Sequence, residues 1–205
     1  MDRIGRKTVL ASTAMAVALA ACLLTGCASL STPQPQRDAE WALPCKIDGV
    51  ENCFMLEPGL YRAAQPSAQG MASLERMGIR NVLSLRHGSL DNRLARDTLI
   101  QCHHVTMNAF KIEEEELLEA LAIMVAPRNR PLLVHCFHGA DRTGVLCAAY
   151  RVVVQNWTKD KAIDEMERGQ YGFHSLLLNA ASSIRNLDVE KARQRLGLPP
   201  DGRME

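Results

Sequence analysis

Residues 135–144 (HCFHGADRTG) combine a nucleophile with the means to hold an anion in front of it. Cys136 closes an apolar run, Pro131 to His135 (PLLVH), and Arg142 follows six positions later, where a helical pattern begins. Gly139 lies between them, so the backbone can turn without a side chain in the way. Such a loop points successive backbone N–H groups into one concavity, reinforced by the helix N-terminus near Thr143. The concavity suits a tetrahedral dianion, and Arg142 adds a two-pronged grip on its oxygens. The same positive field favours thiolate over thiol at Cys136. A thiolate at the floor of an anion nest is arranged for in-line attack on phosphorus. The bland alternative is an inert glycine-bearing turn.

Several elements must hold that loop. Pro66-Ser67 opens a helical pattern through Met71, Leu74 and Met77 that Gly78 closes. Arg80 to Leu85 reads as a strand, residues 91–100 as a polar helix, and residues 102–107 as a second strand. Glu113 to Ala126 is a helix with Leu117, Leu118, Leu121 and Val125 at helical spacing. Glu113 to Glu116 form its solvated first turn. Pro131 to His135 lacks alternation, which suits a strand buried on both faces. Thr143 to Val154 reads as a buried helix, Thr158 caps another that ends at Gly169, and residues 175–196 are helical. Strands alternating with helices predict an α/β fold with a mainly parallel central sheet covered on both faces. Ligands in such folds bind beyond the carboxyl ends of the strands, where the loop at His135 sits.

The loop resembles the signature of the cysteine-dependent protein-tyrosine and dual-specificity phosphatases: His-Cys, five residues, Arg, Ser or Thr, then Gly. The wider resemblance covers roughly residues 55–175. It includes Leu60 to Pro66 (LYRAAQP) and Gly144 to Trp157 with its Tyr150-Arg151, both similar to bacterial dual-specificity-like members. The position of the loop sets the chain apart from the low-molecular-weight class. The resemblance implies a protein-tyrosine-phosphatase-like fold and a cysteinyl-phosphate formed on Cys136. It also implies that Arg142 binds the phosphoryl group and that Thr143 assists the departing thiolate. His135 tunes the nucleophile through hydrogen bonds, and Phe137, His138, Gly139, Ala140, Asp141 and Arg142 form the phosphate-binding loop. Neither a metal nor an organic cofactor is implied.

One part of the family pattern is missing. The leaving oxygen needs a proton, usually from an Asp upstream of the Cys, but Val105 to Lys111 (VTMNAFK) contains no carboxylic acid. Asp141 and Asp91 are the two substitutes; Asp141 reads alternatively as a cap that orders the loop. The loop carries no lysine to meet additional phosphates, so phosphotyrosine on a protein or a small phosphomonoester leads as substrate. Phe137 keeps a lipid or phosphoinositide substrate open. The missing acid motivates a phosphate-binding pseudophosphatase as a further alternative. Cys102-His103-His104 and His135-Cys136-x-His138 together offer ligands to zinc or copper, although Arg142 and the helix N-terminus disfavour a cation. Trp157, Tyr171 and His174 read as core or helix-end packing residues, with the wall of a substrate site as the alternative.

The chain begins with an address. Arg3, Arg6 and Lys7 precede an uncharged stretch from Thr8 to Leu24, long enough for a signal sequence and marginal for a membrane span. Leu24-Thr25-Gly26-Cys27 resembles a bacterial lipobox, with Cys27 lipidated after cleavage. Leu19-Ala20-Ala21-Cys22 fits the same pattern, but a polar stretch directly follows Cys27. Ala28, where an Asp would signal inner-membrane retention, points to an outer-membrane anchor with the domain in the periplasm. An uncleaved anchor helix is the alternative. Ser31 to Arg37 (STPQPQR) is a Pro/Gln linker. The expected layout is a signal peptide at 1–26, lipidated Cys and linker at 27–40, a phosphatase domain at 41–190 and a tail at 191–205.

Composition sets limits on the rest. A length of 205 residues, with 47% hydrophobic and 23% charged, excludes wholesale disorder and suits one domain with appendages. A formal net charge of +1 gives no basis for nucleic-acid binding. Of seven cysteines, Cys45 and Cys53 flank an Asp48-Gly49 turn signal, as a hairpin with a disulfide or as two buried thiols. Cys147 is a candidate to pair with Cys102 or to protect Cys136.

Overall fold

Both faces of the sheet are covered, which is why the run ending at His135 shows no polar alternation. The computed structural model describes residues 37–88, 90–108, 110–174 and 179–202. The leader, Cys22, Cys27 and the linker before Arg37 lie outside the described residues. In chain order the elements are β1 (Leu43–Pro44), β2 (Phe54–Glu57), β3 (Leu60–Ala63), α1 (Ala68–Arg76), β4 (Asn81–Ser84), α2 (Asp91–Leu94) and β5 (Gln101–His104). They continue with α3 (Glu114–Val125), β6 (Leu132–His135), α4 (Asp141–Val153), α5 (Lys159–Arg168), α6 (Ala180–Asn186) and α7 (Val189–Leu196). The strand order is β1-β2-β3-β6-β4-β5. β3, β6, β4 and β5 run parallel, and β2 and β1 extend the sheet antiparallel beyond β3.

Strand residues alternate between the faces. Leu132 and Val134 of β6 join Leu60 of β3 and Leu83 of β4 in a core shared with α3 to α7. Leu133 turns to the other face, where it meets Ala63, Val82, Met71 and Leu74 of α1, and Ile47, Val50 and Cys53 before β2. The helix ends follow local chemistry. Ser67 caps α1 by accepting from Gly70 N–H at 3.0 Å. Thr158 caps α5 in the same way through Lys161 N–H. Glu113 begins α3, and its N–H reaches Glu116 Oε2 at 3.4 Å, so the acidic run serves the helix start.

Register places the site. Ala63 of β3 and Ser84 of β4 both pair with His135 of β6, so three parallel strands end level. The segments that follow them, residues 64–66, 85–88 and 136–140, therefore emerge side by side along one edge.

Several expectations need correction. The helix expected over 91–100 ends at Leu94, because Asp91, Ala95 and Ile100 are its only buried positions, too few at helical spacing to hold a longer one. β2 and β3 were not foreseen as strands; Gly59, at φ +79°, lets the chain reverse between them within two residues. The expected helix over 175–196 is two helices parted at Leu187-Asp188, with residues 175–178 outside the described set. The packed unit also exceeds 41–190 at both ends. Arg37 donates to Ala42 O at 2.5 Å and lies over the Trp41 ring, while Ala192 of α7 is buried and Arg193 Nε donates to Val153 O at 2.8 Å. Cys102 and Cys147 belong to cores on opposite faces of the sheet, so they do not pair.

Candidate active site

The loop after β6 is shaped by what holds its carbonyl groups. His135 O accepts from Leu85 N–H at 2.9 Å, and Cys136 O from His135 Nδ1 at 3.0 Å. Phe137 O accepts from Gln65 N–H at 3.1 Å, His138 O from Asn52 Nδ2 at 2.8 Å, and Gly139 O from Arg62 Nη2 at 2.8 Å. Ala140 O accepts the first bond of α4, from Gly144 N–H at 2.8 Å. A trans peptide carries its N–H opposite its C=O. With these carbonyls drawn outward, the N–H groups of residues 137–140 turn the other way, into one concavity. The first-turn N–H groups of α4, which have no carbonyl within the helix to bond, follow directly after this run. Gly139 has φ +71°, and a Cβ there would stand 2.3 Å from the backbone of Ala63, so glycine is required on both counts.

Two buried networks brace this loop. Arg62 is 1% exposed and its guanidinium lies 3.6 Å from the centre of the Tyr171 ring. Tyr171 OH donates to Glu165 Oε1 at 2.9 Å, and Glu165 pairs with Arg151 through Nε at 2.7 Å and Nη2 at 2.8 Å. Burial pushes the Glu165 carboxyl up, but the bonds and charge of Arg151, with Ala42 N–H and Tyr171 OH, outweigh it and hold it below its ordinary value.

On the other face, Arg86 donates to Gln65 Oε1 at 2.7 Å, Gln65 Nε2 to Asp91 Oδ1 at 2.8 Å, and His135 Nε2 meets Asp91 Oδ2 at 2.9 Å. Asp91 is also pushed up by burial and pulled further down by His135, Gln65 and Arg86, so it lies below its ordinary value. One ring nitrogen of His135 thus meets a backbone carbonyl and the other a carboxylate, which fixes the ring between them. His135 therefore links the Asp91 carboxylate to the backbone of Cys136, one residue along the chain.

The residues singled out from sequence fall into place around this loop. Cys136 is 2% exposed, beneath it. Arg142 Nη1 donates to Leu85 O at 3.3 Å, which fixes the guanidinium at the edge of the concavity. Thr143 is fully buried, and its Oγ1 has no hydrogen-bond partner among the described residues. Phe137 stands exposed at the mouth with Arg86 5.1 Å from its ring centre. The two candidate acids part company. Asp91 is fully enclosed against His135, whereas Asp141 opens α4 at the loop mouth, where its oxygens accept from His174 N–H at 2.8 Å and His174 Nδ1 at 3.1 Å. Across the upstream window, Val105 and Met107 are buried and Asn108 N–H reaches Glu116.

The histidines do not gather around a metal as expected for that alternative. His103 Nε2 meets Asn81 Oδ1 at 3.0 Å and His104 Nε2 donates to Arg86 O at 2.8 Å. His138, Asp141 and His174 do bring ligand atoms within 4.8 Å of one another, beside the cationic Arg142. Sequence reasoning passed over Arg62, Gln65, Asn52, Arg86 and His174. Arg62 and Gln65 stand inside the segment LYRAAQP, which carried a signal; Asn52 gave none.

A parallel sheet whose central strand ends in a thiol beneath an N–H-lined concavity, with an arginine at its edge, is the apparatus of a cysteine-based phosphatase. The family model described as the tyrosine phosphatase family matches residues 50–191, and the chain belongs to that family. It is 33% identical over 180 residues to the dual specificity protein phosphatase TpbA of Pseudomonas aeruginosa, covering 87% of this chain and 81% of that protein. The crystal structure of P. aeruginosa TpbA superposes with a TM-score of 0.69 at 32% identity, over 79% of this chain and 99% of that one. The catalytic core of a PP-IP phosphatase from S. cerevisiae gives 0.63 at 26% identity, over 73% and 93%. Hydrolysis of phosphomonoesters follows as the activity of this fold and site.

Proposed function

We propose that the chain dephosphorylates phosphotyrosine through a phosphocysteine on Cys136. The run of carbonyls from His135 to Ala140, all bonded away from one concavity, carries this reading. A phosphoryl group seated there takes N–H bonds from the loop and two from Arg142, which strengthen as charge builds on its oxygens. The N-terminus of α4 and Arg142 place positive charge beside the sulfur that attacks. Cys136 Sγ attacks in line, an S–P bond forms and the P–O bond to the leaving group breaks. Water then cleaves the S–P bond, and the spare Thr143 hydroxyl donates to the departing sulfur.

The leaving oxygen takes its proton from the pair of Asp141 and His174. Asp141 Oδ1 accepts from His174 N–H and Oδ2 meets His174 Nδ1, so Asp141 anchors the imidazole at the loop mouth and the two together present the donor. Asp91, enclosed beside His135, has no path to the leaving group. Phe137 and Arg86 at the mouth offer an aromatic face and a cation to a phenyl phosphate. A crystal structure of TpbA in complex with pTyr, 31% identical to this chain, supports that substrate class.

The test is phosphate release from phosphotyrosine, 4-nitrophenyl phosphate and a phosphoinositide, with reductant and EDTA. Turnover of the aryl esters that vanishes in Cys136→Ser and Arg142→Ala is the expected result. A folded parent that binds phosphate and releases none sinks the enzyme reading in favour of a binding module. Faster turnover of the phosphoinositide replaces the substrate. His174→Ala should slow phenyl phosphate far more than 2,4-dinitrophenyl phosphate, whose leaving group needs no proton.

We further propose lipidation at Cys27 and an outer-membrane anchor that holds the domain in the periplasm. The charged start, uncharged stretch and lipobox-like Leu24 to Cys27 support it. Labelling with a palmitate analogue should be lost in Cys27→Ser and kept in Cys22→Ser.

A further inference from the structure

Asn52, which holds the carbonyl of His138, belongs to a short excursion of chain between β1 and β2. Its Nδ2 donates to His138 O at 2.8 Å and to Tyr171 O at 2.9 Å, so one side chain ties the phosphate-binding loop to the segment after α5. Neighbouring residues dock as well. Glu51 O accepts from Ala64 N–H at 2.9 Å, and Gly49 O from Ser67 N–H at 3.0 Å. Gly49 sits so close to α1 that a Cβ would stand 2.5 Å from Gly70 N. The excursion is thus a bracket behind the loop.

Both ends of the bracket are cysteines. Cys45 and Cys53 continue the β1–β2 register in which Leu43 pairs with Met55 and Pro44 with Phe54. Cys45 N–H donates to Cys53 O at 2.9 Å, and the two Sγ atoms are in contact at 2.6 Å. Cys53 is buried and Cys45 is partly exposed.

We propose that Cys45 and Cys53 form a disulfide that closes this bracket and so holds Asn52 against the phosphate-binding loop. The oxidant is a disulfide-bearing small molecule or oxidoreductase. Cys45, the accessible partner, is also the one whose thiol is lowered, by its hydrogen bond with Cys53. Its thiolate attacks one sulfur of the oxidant, forms a mixed disulfide and expels a thiolate. Cys53 then gives up its proton and attacks the Cys45 sulfur, and the second thiol leaves. Two protein thiols are oxidised and one external disulfide is reduced to two thiols. Closing the loop between the cysteines restricts the unfolded chain and the local motion of Asn52. Cys136, enclosed beneath the phosphate-binding loop, takes no part.

The effect on the site rests on the phosphatase reading; the disulfide does not. The full-length Cys136→Ser chain is equilibrated with oxidised or reduced glutathione, alkylated and cut with trypsin, which cleaves after Lys46 and separates the two cysteines. In the oxidised sample the peptide ending at Lys46 should stay linked to the one holding Cys53. In calorimetry with inorganic phosphate, the oxidised form should bind about fivefold more tightly than the reduced form, the worth of roughly one hydrogen bond. Asn52→Ala should remove that difference. Alkylation of both cysteines under oxidising conditions, or linkage of either to another cysteine, overturns the proposal. A linked pair with equal phosphate affinity in both redox forms overturns its coupling to the site. Wild-type aryl phosphate turnover, measured in parallel, shows separately whether the phosphatase reading has failed.

Discussion

Arg151–Glu165 and His135–Asp91 are both ion pairs buried near the phosphate-binding loop, at 2.7 and 2.9 Å, on opposite faces of the sheet. They differ in what else they touch. Glu165 gathers Ala42 N–H, Tyr171 OH and both prongs of Arg151, so it binds the N-terminal segment, α4 and the chain after α5 into one body. Its cation is a guanidinium, charged at every working pH. Asp91 faces an imidazole, whose charge depends on its partner, and that imidazole bonds the carbonyl of Cys136 itself. The first arrangement suits rigidity and the second suits control of a neighbouring thiolate. A buried pair is thus read from its third contacts, since both pairs have similar lengths.

The comparison can be broken most forcefully at Glu165. Glu165→Ala leaves Arg151 buried without its partner and should cost about 3–5 kcal/mol of stability, read as a lower urea midpoint. The fraction that folds should keep the parental pH profile of turnover; a well-folded variant with an altered profile reverses the two assignments. Asp91→Asn should leave stability closer to the parent and lower kcat/KM by about 10–100-fold, the usual cost of losing a supporting partner. The acid limb of its pH profile should move, because the carboxylate that bonds His135 is gone. An unshifted limb removes Asp91 from control of the thiolate.

Both carboxyls lie below their ordinary values of 4.5 and 3.8, so each stabilises the folded state above those values. That stabilisation is lost as pH falls through the lower, folded-state values. Stability should be flat from neutrality to about pH 5 and decline below it. Glu165→Gln should soften the decline, and unfolding titrations of parent and variant make the comparison. The smallest effect belongs to Asp164–Arg168, an exposed pair at 2.9 Å on one helix face. Arg168→Ala should cost about 0.3–0.5 kcal/mol and leave turnover unchanged. A larger loss there undermines the premise that burial separates these pairs from surface ones.

Much of the site was legible because its chemistry is local. Cys136, Gly139, Arg142 and Thr143 lie within eight consecutive residues, and the strand before them and helix after them follow from apolar runs and caps. Legibility failed where a residue works across the sheet. Asp91 read as a candidate proton donor because a carboxylate after a strand is all that sequence conveys; its burial against His135, 44 positions later, comes from β4 lying beside β6. His174 read as packing, and its pairing with Asp141 depends on how the chain returns after α5. β2 and β3 escaped notice because Glu57 and Arg62 interrupt their apolar residues, unlike the unbroken apolar run of β6.

By itself, the sequence determined the fold class, the HCFHGADRTG loop with its candidate nucleophile, and the absence of a carboxylic acid between Val105 and Lys111. These depend on residue type and short spacing, which neighbouring atoms enforce. Only the tertiary structure decided which way the loop carbonyls face, since their donors, Asn52, Arg62, Gln65 and Leu85, come from three other segments. It also decided which carboxylate is enclosed and which stands at the mouth. A hydrogen bond needs its partners within about 3 Å, and for residues far apart in the chain only the packed sheet supplies that proximity.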